Sequence, residues 1–123
     1  MGEFAPGQIV FVDWRDALPR EANKFRPAVV VEDADLFVTD HPNVVLVPLS
    51  GDAKVVMPDL SVTVEPTPEN GCTARCYALA NHVTTASKRR IRPTSSRITA
   101  EQLQTIRERI AITIGLGRHA VSD

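Results

Sequence analysis

Gln8-Ile9-Val10-Phe11-Val12-Asp13, the connection Trp14 to Phe25, and Pro27-Ala28-Val29-Val30-Val31 decide the fold. The first run is short, β-branched and opened by Pro6-Gly7, which is the composition of a strand. The last is a near-continuous apolar run, read as a strand buried on both faces. Pro27 stands at its start, where a strand can do without a ladder donor. The dozen residues between them are polar, carry charges of both signs and contain Pro19, so they form a loop. Working outward, an acidic turn at Glu32-Asp33-Ala34-Asp35 precedes a third core strand, Val44-Val45-Leu46-Val47-Pro48-Leu49. Leu60 to Glu65 alternates cleanly and is expected to be half-exposed. Pro66-Thr67-Pro68-Glu69-Asn70-Gly71 is a turn by composition. Thr73 to Ala80 reads as a fifth strand, with a short sixth through His82 to Thr85.

The period then changes. Thr99-Ala100-Glu101-Gln102 has the pattern of a capping box. Leu103, Ile106, Ile110 and Ile114 follow at helical spacing, with Arg107, Glu108 and Arg109 expected to face outward. Gly115 supplies a left-handed terminus. The expected fold is mainly β with one C-terminal α-helix: a small barrel, or a strongly bent antiparallel sheet, closed by the helix. At 123 residues, with 43% hydrophobic and 24% charged side chains, one domain over 1–123 is expected and a disordered chain is excluded. Only 5% of residues are aromatic, which argues against extended base-stacking platforms. No apolar run approaches the ~18 residues of a membrane span. The start, Met-Gly-Glu-Phe-Ala-Pro, lacks the basic and apolar segments of a secretory leader, so a cytoplasmic protein with no membrane association is expected.

Charge is unevenly distributed. Residues 1–69 hold twelve acidic and five basic side chains, and residues 70–123 hold nine basic and three acidic. The densest basic stretch, Lys88-Arg89-Arg90-Ile91-Arg92, is flanked by Arg75 and Arg97. It reads either as a solvated loop beside the helix or as part of a positive face for a polyanion. Cys72 and Cys76 would stand roughly 13 Å apart on an extended strand, too far for a disulfide without a bend. They read as buried or half-buried free thiols in a reducing cytosol. No spacing of Cys, His, Asp or Glu matches a metal site, and no phosphate-binding glycine loop or serine elbow is present.

Chemistry concentrates in the loop from Trp14 to Pro27. Arg26 stands where the chain enters a buried strand, so its guanidinium is carried on rigid backbone. The planar fork of such an Arg suits a phosphate. Ser50, at the end of the third strand, offers a hydroxyl to the same region. The alternative readings make Arg26 a structural partner of Asp13 or Glu21, and Ser50 a turn residue before Gly51.

In order and spacing, these pieces resemble the MazF/PemK family of toxin ribonucleases. Gly7 to Asp13, then Glu21, then Arg26-Pro27 opening an apolar strand, matches the family's beginning. Val47-Pro48-Leu49-Ser50 resembles its next landmark, and Ala78-Leu79-Ala80-Asn81-His82-Val83 the strand that often ends in Asp-Gln. The close of the chain, Ile112 to Leu116, is also similar, so the resemblance spans about residues 6–116. It implies an SH3-like barrel of the CcdB/PemK type and a homodimer that cuts single-stranded RNA without cofactor or metal. A cognate MazE-type antitoxin holds such toxins silent. Arg26 would stabilise the phosphorane, Ser50 would hold a phosphate oxygen, and Glu21 would be the base or would orient Arg26. Trp14, Arg20, Lys24, Asn81 and His82 are the expected RNA contacts. The chain departs from the family in having Ser50 for threonine and Asn81-His82 for Asp-Gln. Two alternatives stand beside this reading. A CcdB-type gyrase poison shares the barrel and often ends in an apolar aromatic residue, unlike Gly117 to Asp123. A non-catalytic SH3-like module would bind without cutting.

Overall fold

The computed structural model describes residues 4–14, 25–36 and 41–116. Seven strands precede one helix: β1 (Gln8–Asp13), β2 (Phe25–Val30), β3 (Asn43–Ser50), β4 (Ser61–Val64), β5 (Cys76–Leu79), β6 (Thr84–Ser87), β7 (Ile91–Arg97) and α1 (Ala100–Thr113). The strand path runs β4-β5-β3-β2-β1-β7, with β6 added to β3, and every ladder is antiparallel.

Strand β3 serves two limbs of this sheet. Its first half, Asn43 to Leu46, pairs with β6, and its last residues, Leu49 and Ser50, pair with β5. A 3-10 turn, Ala80–His82, carries the chain from one limb to the other. The other connection matters more. Strands β6 and β7 lie at opposite margins of the order β7-β1-β2-β3-β6, yet only the 3-10 turn Lys88–Arg90 joins them. Three residues cannot span five strands spaced ~4.8 Å apart unless the sheet rolls. It rolls around Val10, Val12, Ala28, Val30, Val44, Leu46, Ala86 and Ile91, with Phe4 and Trp14 packed against them. No ladder joins β6 to β7, so the bent sheet stays open.

The opposite face of the same strands is also buried. Ile9, Val29, Val47 and Leu49 pack against Val64 and Ala78 of the second limb and Ile106 of α1. Ala28, Val29 and Val30 are therefore fully buried in succession, as a continuous apolar run requires when both faces are covered. Ile106 is the one helix residue buried completely, and removing its side chain would cost about 2–5 kcal/mol.

The helix begins as its sequence indicates. The Thr99 hydroxyl accepts from the Gln102 N–H at 3.0 Å, and the Gln102 side chain accepts from the Thr99 N–H at 2.9 Å. Gly115 ends it at φ +91°. Arg107 and Arg109 do not point into water as expected. Arg107 donates to the carbonyls of Val31 and Glu32 at 3.0 and 2.9 Å, and Arg109 to the carbonyl of Asp59 at 2.7 Å. Long guanidinium side chains at the flanks of the apolar stripe thus cap backbone that leaves the sheet.

Three boundaries also differ. The stretch from Thr73 to Arg75 is turn rather than strand, and β5 is confined to Cys76–Leu79. The expected sixth strand begins two residues later, at Thr84. The basic run is not a loop beside the helix, because Ile91 and Arg92 open a seventh strand against β1. Composition marks the 66–71 turn, but its organiser is the buried Asn70. Its side-chain oxygen accepts from the N–H groups of Thr67 and Cys72 at 3.0 and 2.9 Å, and its amide donates to the Glu65 carbonyl at 2.8 Å. Asn70→Ala removes three hydrogen bonds from a buried site. It is expected to lower stability by about 2–3 kcal/mol, read as a reduced urea midpoint with an unchanged slope.

Candidate active site

Arg26 and Ser50 come together through strand register. In β1–β2 Arg26 stands opposite Val12, and in β2–β3 Ala28 stands opposite Pro48. The ladder ends at that pair, with Arg26 two residues before Ala28 and Ser50 two residues after Pro48. Both side chains then share one face, since side chains alternate with period two. Arg26 is exposed and Ser50 half-buried. They lie at the same end of the β2–β3 ladder.

Each is held by what surrounds its backbone. Pro27 fixes the residue after Arg26, and three fully buried residues follow. Ser50 pairs with Tyr77 of β5, and its hydroxyl oxygen accepts from the Asp52 N–H at 3.1 Å. Because a hydroxyl has one donor and two acceptor positions, that bond leaves the proton available for another acceptor. Asp52 in turn accepts from the Lys54 N–H at 2.9 Å, which fixes the turn beyond the strand. Asp13 is opposite Phe25, one position from the Val12–Arg26 pair, so Asp13 and Arg26 project from opposite faces of the ladder.

Arg92 does not stand out from its basic run in the sequence. Its guanidinium lies 3.9 Å from the centre of the Phe25 ring, a cation–π contact that sets a second positive charge beside the start of β2. The only local signal is the Phe25-Arg26 pair, and the partner strand is set by long-range pairing. Arg75, by contrast, is matched. Its Nε donates to Glu65 Oε2 at 2.8 Å, and the Glu65 charge, followed by hydrogen bonding to Tyr77, raises its pKa above the ordinary arginine value. Arg75 therefore adds little to a positive face.

Trp14 is half-buried against the rolled interior. Asn81 and His82 lie in the 3-10 turn beyond the far end of β5, away from Tyr77 and hence from Ser50. His82 is exposed, while Asn81 donates from Nδ2 to the Met57 sulfur at 3.4 Å and its buried Oδ1 has no partner among the described residues. Glu21, Arg20 and Lys24 lie outside the described residues. A cleft of about 330 Å³ opens on the other face of β1–β3, lined by Ile9, Phe11, Pro27, Leu49, Cys72 and Cys76. It touches the neighbours of Arg26 and Ser50 but not those residues, and we place the candidate chemistry on the Arg26–Ser50 face. Among the described residues, no group of three or more His, Cys, Asp or Glu side chains assembles that could hold a metal ion.

A family model described as the PemK-like, MazF-like toxin of type II toxin-antitoxin systems matches residues 5–114. The chain belongs to that family. Solved structures with this fold include MazF from Deinococcus radiodurans, at 21% identity and a TM-score of 0.70 over 90% of this chain and 96% of that one. The Mycobacterium tuberculosis toxin MazF-mt6 is 16% identical, with a TM-score of 0.68 over 89% and 97% of the two chains. An endoribonuclease in complex with its cognate antitoxin, from a mycobacterial species, is 19% identical with a TM-score of 0.68 over 90% and 94%. At these identities the likeness is one of fold. A comparison with curated protein sequences finds no match. As a PemK-like, MazF-like toxin, the chain keeps the family's rolled antiparallel sheet and C-terminal helix.

Proposed function

We propose that this toxin is an endoribonuclease that cuts single-stranded RNA at short sequences. The ribose 2′-hydroxyl attacks the adjacent phosphate, leaving a 2′,3′-cyclic phosphate and a 5′-hydroxyl. One observation carries the reading: in a chain of this family, the exposed Arg26 and the half-buried Ser50 lie at the same end of the β2–β3 ladder, in phase for one face. The phosphorane that forms during attack bears more negative charge than the starting phosphodiester. A guanidinium and a hydroxyl already fixed beside it stabilise that charge without reorganising. In this scheme Arg26 meets the phosphorane, Ser50 donates to a non-bridging oxygen, and Glu21 accepts the 2′-hydroxyl proton or orients Arg26. The nucleophile belongs to the substrate, so the scheme calls on no metal-bound water and no cofactor. Asn81 and His82 lie beyond the far end of β5, so we assign them, with Trp14, Arg20 and Lys24, to nucleotides flanking the cut.

The active unit in this reading is a cytoplasmic homodimer. Ile114 and Leu116, past the buried part of α1, are 63% and 64% exposed, an apolar helix end that a second copy would cover. The partner is a MazE-type antitoxin whose acidic, extended segment pairs with cations among Lys24, Arg26 and the basic 88–92 run. A polyanion and an acidic peptide satisfy the same cations.

Single-stranded RNA should be cut in EDTA, and DNA of the same sequence should survive, as it lacks the attacking hydroxyl. Arg26→Ala and Ser50→Ala should each slow cleavage at least ~10²-fold while leaving the thermal midpoint near that of the parent. Product ends other than a cyclic phosphate and a 5′-hydroxyl, or full activity in Arg26→Ala, would overturn the assignment. Light scattering at micromolar concentration should give twice the 13.5 kDa chain mass, and Ile114→Asp should shift the population toward monomer. Antitoxin affinity should fall steeply between ~50 and ~300 mM salt if ion pairing supplies the attraction.

A further inference from the structure

Cys72 and Cys76 take no part in the proposed ribonuclease reaction, and their chemistry is independent of it. Bends at Thr73 and Ala74 overturn the extended spacing expected of them. Just before these bends, Gly71 adopts φ +67°, a left-handed conformation that side chains rarely take, and a Cβ there would meet Ser96 Oγ at 2.7 Å. The chain folds back, and the two sulfurs stand 3.5 Å apart, both as half-buried free thiols.

The two residues are held by different parts of the fold. Cys76 is fixed in the ladder opposite Val64. Cys72 is fixed through its N–H on the Asn70 side chain at 2.9 Å. Thr73, Ala74 and Arg75 between them are exposed and belong to no strand. A disulfide is ~2.05 Å long, so closure requires an approach of about 1.5 Å, which this short loop can absorb without disturbing β5. Both cysteines line the cleft of about 330 Å³, large enough for a small oxidant beside the sulfurs.

We propose that Cys72 and Cys76 are a redox-active dithiol, a modification site that a hydroperoxide converts to an intramolecular disulfide. Burial, reinforced by the hydrogen bond with Cys72, pushes the Cys76 thiol up to about 12, so it stays protonated at neutral pH. The thiolate is the nucleophile, and Cys72, carried on the turn outside the ladder that holds Cys76, makes the first attack. Its sulfur attacks one peroxide oxygen and the O–O bond breaks. The alkoxide leaves and is protonated to the alcohol, giving a Cys72 sulfenic acid. The Cys76 sulfur, already in contact, then attacks the Cys72 sulfur. The S–O bond breaks, and the departing hydroxide takes the Cys76 proton as water. Two thiols lose two electrons and two protons, and one hydroperoxide becomes an alcohol and water.

The test reads mass, not cleavage, so failure of the ribonuclease reading would leave its outcome intact. The full-length reduced chain is treated with one equivalent of tert-butyl hydroperoxide at neutral pH, then unfolded and alkylated with N-ethylmaleimide. The expected product has lost two hydrogens, carries no maleimide and runs as a single chain without reductant. Recovery of two maleimide adducts from the oxidised sample, a sulfinic acid at Cys72, or a disulfide between chains would overturn the proposal. With dimedone present during oxidation, Cys76→Ser should give one adduct at Cys72 and Cys72→Ser none. Folded Cys72→Ser should also alkylate at neutral pH at least ~10-fold more slowly than the same chain in guanidinium. Equal rates would remove the assigned order of attack.

Discussion

The constraint on which the rest depends is the three-residue turn Lys88–Arg90, which ties the outer strands β6 and β7 together. A flat sheet with that connection is impossible. Rolling makes one face of the strands line an interior and leaves the other to be covered by β4, β5 and α1. Hence two hydrophobic clusters lie on the two faces of the same strands, and three consecutive residues of β2 are without solvent contact. The burial is favourable at about 25 cal/mol per Å² of apolar area. A short basic turn tolerates its place because its charges remain near solvent while Ile91, the residue after it, enters the core.

Rolling also decides what the ends of the strands do. Buried residues hold β2 from Ala28 onward, and β3 is gripped on both sides, by β2 and by β6 or β5. Arg26 is the first polar side chain of β2 as the chain enters the sheet, and Ser50 the last of β3 as it leaves. Their backbones are therefore as rigid as the core, while the side chains reach solvent. A site for transition-state charge requires this arrangement, since donors fixed in advance need no reordering as charge develops. Loops contribute groups that differ among relatives, whereas the paired strand ends are set by packing.

Much of the architecture is legible in the sequence because local signals and burial agree. The composition of β1 marks it to the residue, the capping box and Gly115 mark the ends of α1, and the proline-rich turn is evident from its residues. Arg26 and Ser50 are legible as positions at strand ends, but the ladder that brings those two ends together is a long-range property that no local window carries. The failures share that cause. Lys88 to Arg92 reads as solvated because charge dominates its composition, while the pairing of Arg92 with Phe11 depends on a strand some eighty residues earlier. Arg107 and Arg109 read as outward because helical periodicity ranks side chains by polarity and says nothing of carbonyls brought near by the fold. Asn70 reads as one turn residue among several, since its three bonds depend on a bend that the sequence only permits.

The cysteines show the same principle on a smaller scale. Spacing in sequence becomes distance only when the local conformation is known. The expected separation of roughly 13 Å assumes 3.3 Å for every residue from Cys72 to Cys76. Bends at Thr73 and Ala74 replace that line by a turn, and the sulfurs meet at 3.5 Å. The bend is specified outside the pair: Asn70 anchors the chain before it, Gly71 reverses direction against Ser96, and the β4 ladder fixes the chain after it. Contact between the thiols is thus a consequence of how the second limb of the sheet is attached. Asn70 holds the Cys72 N–H, so its side chain bears on the thiol pair without touching either sulfur.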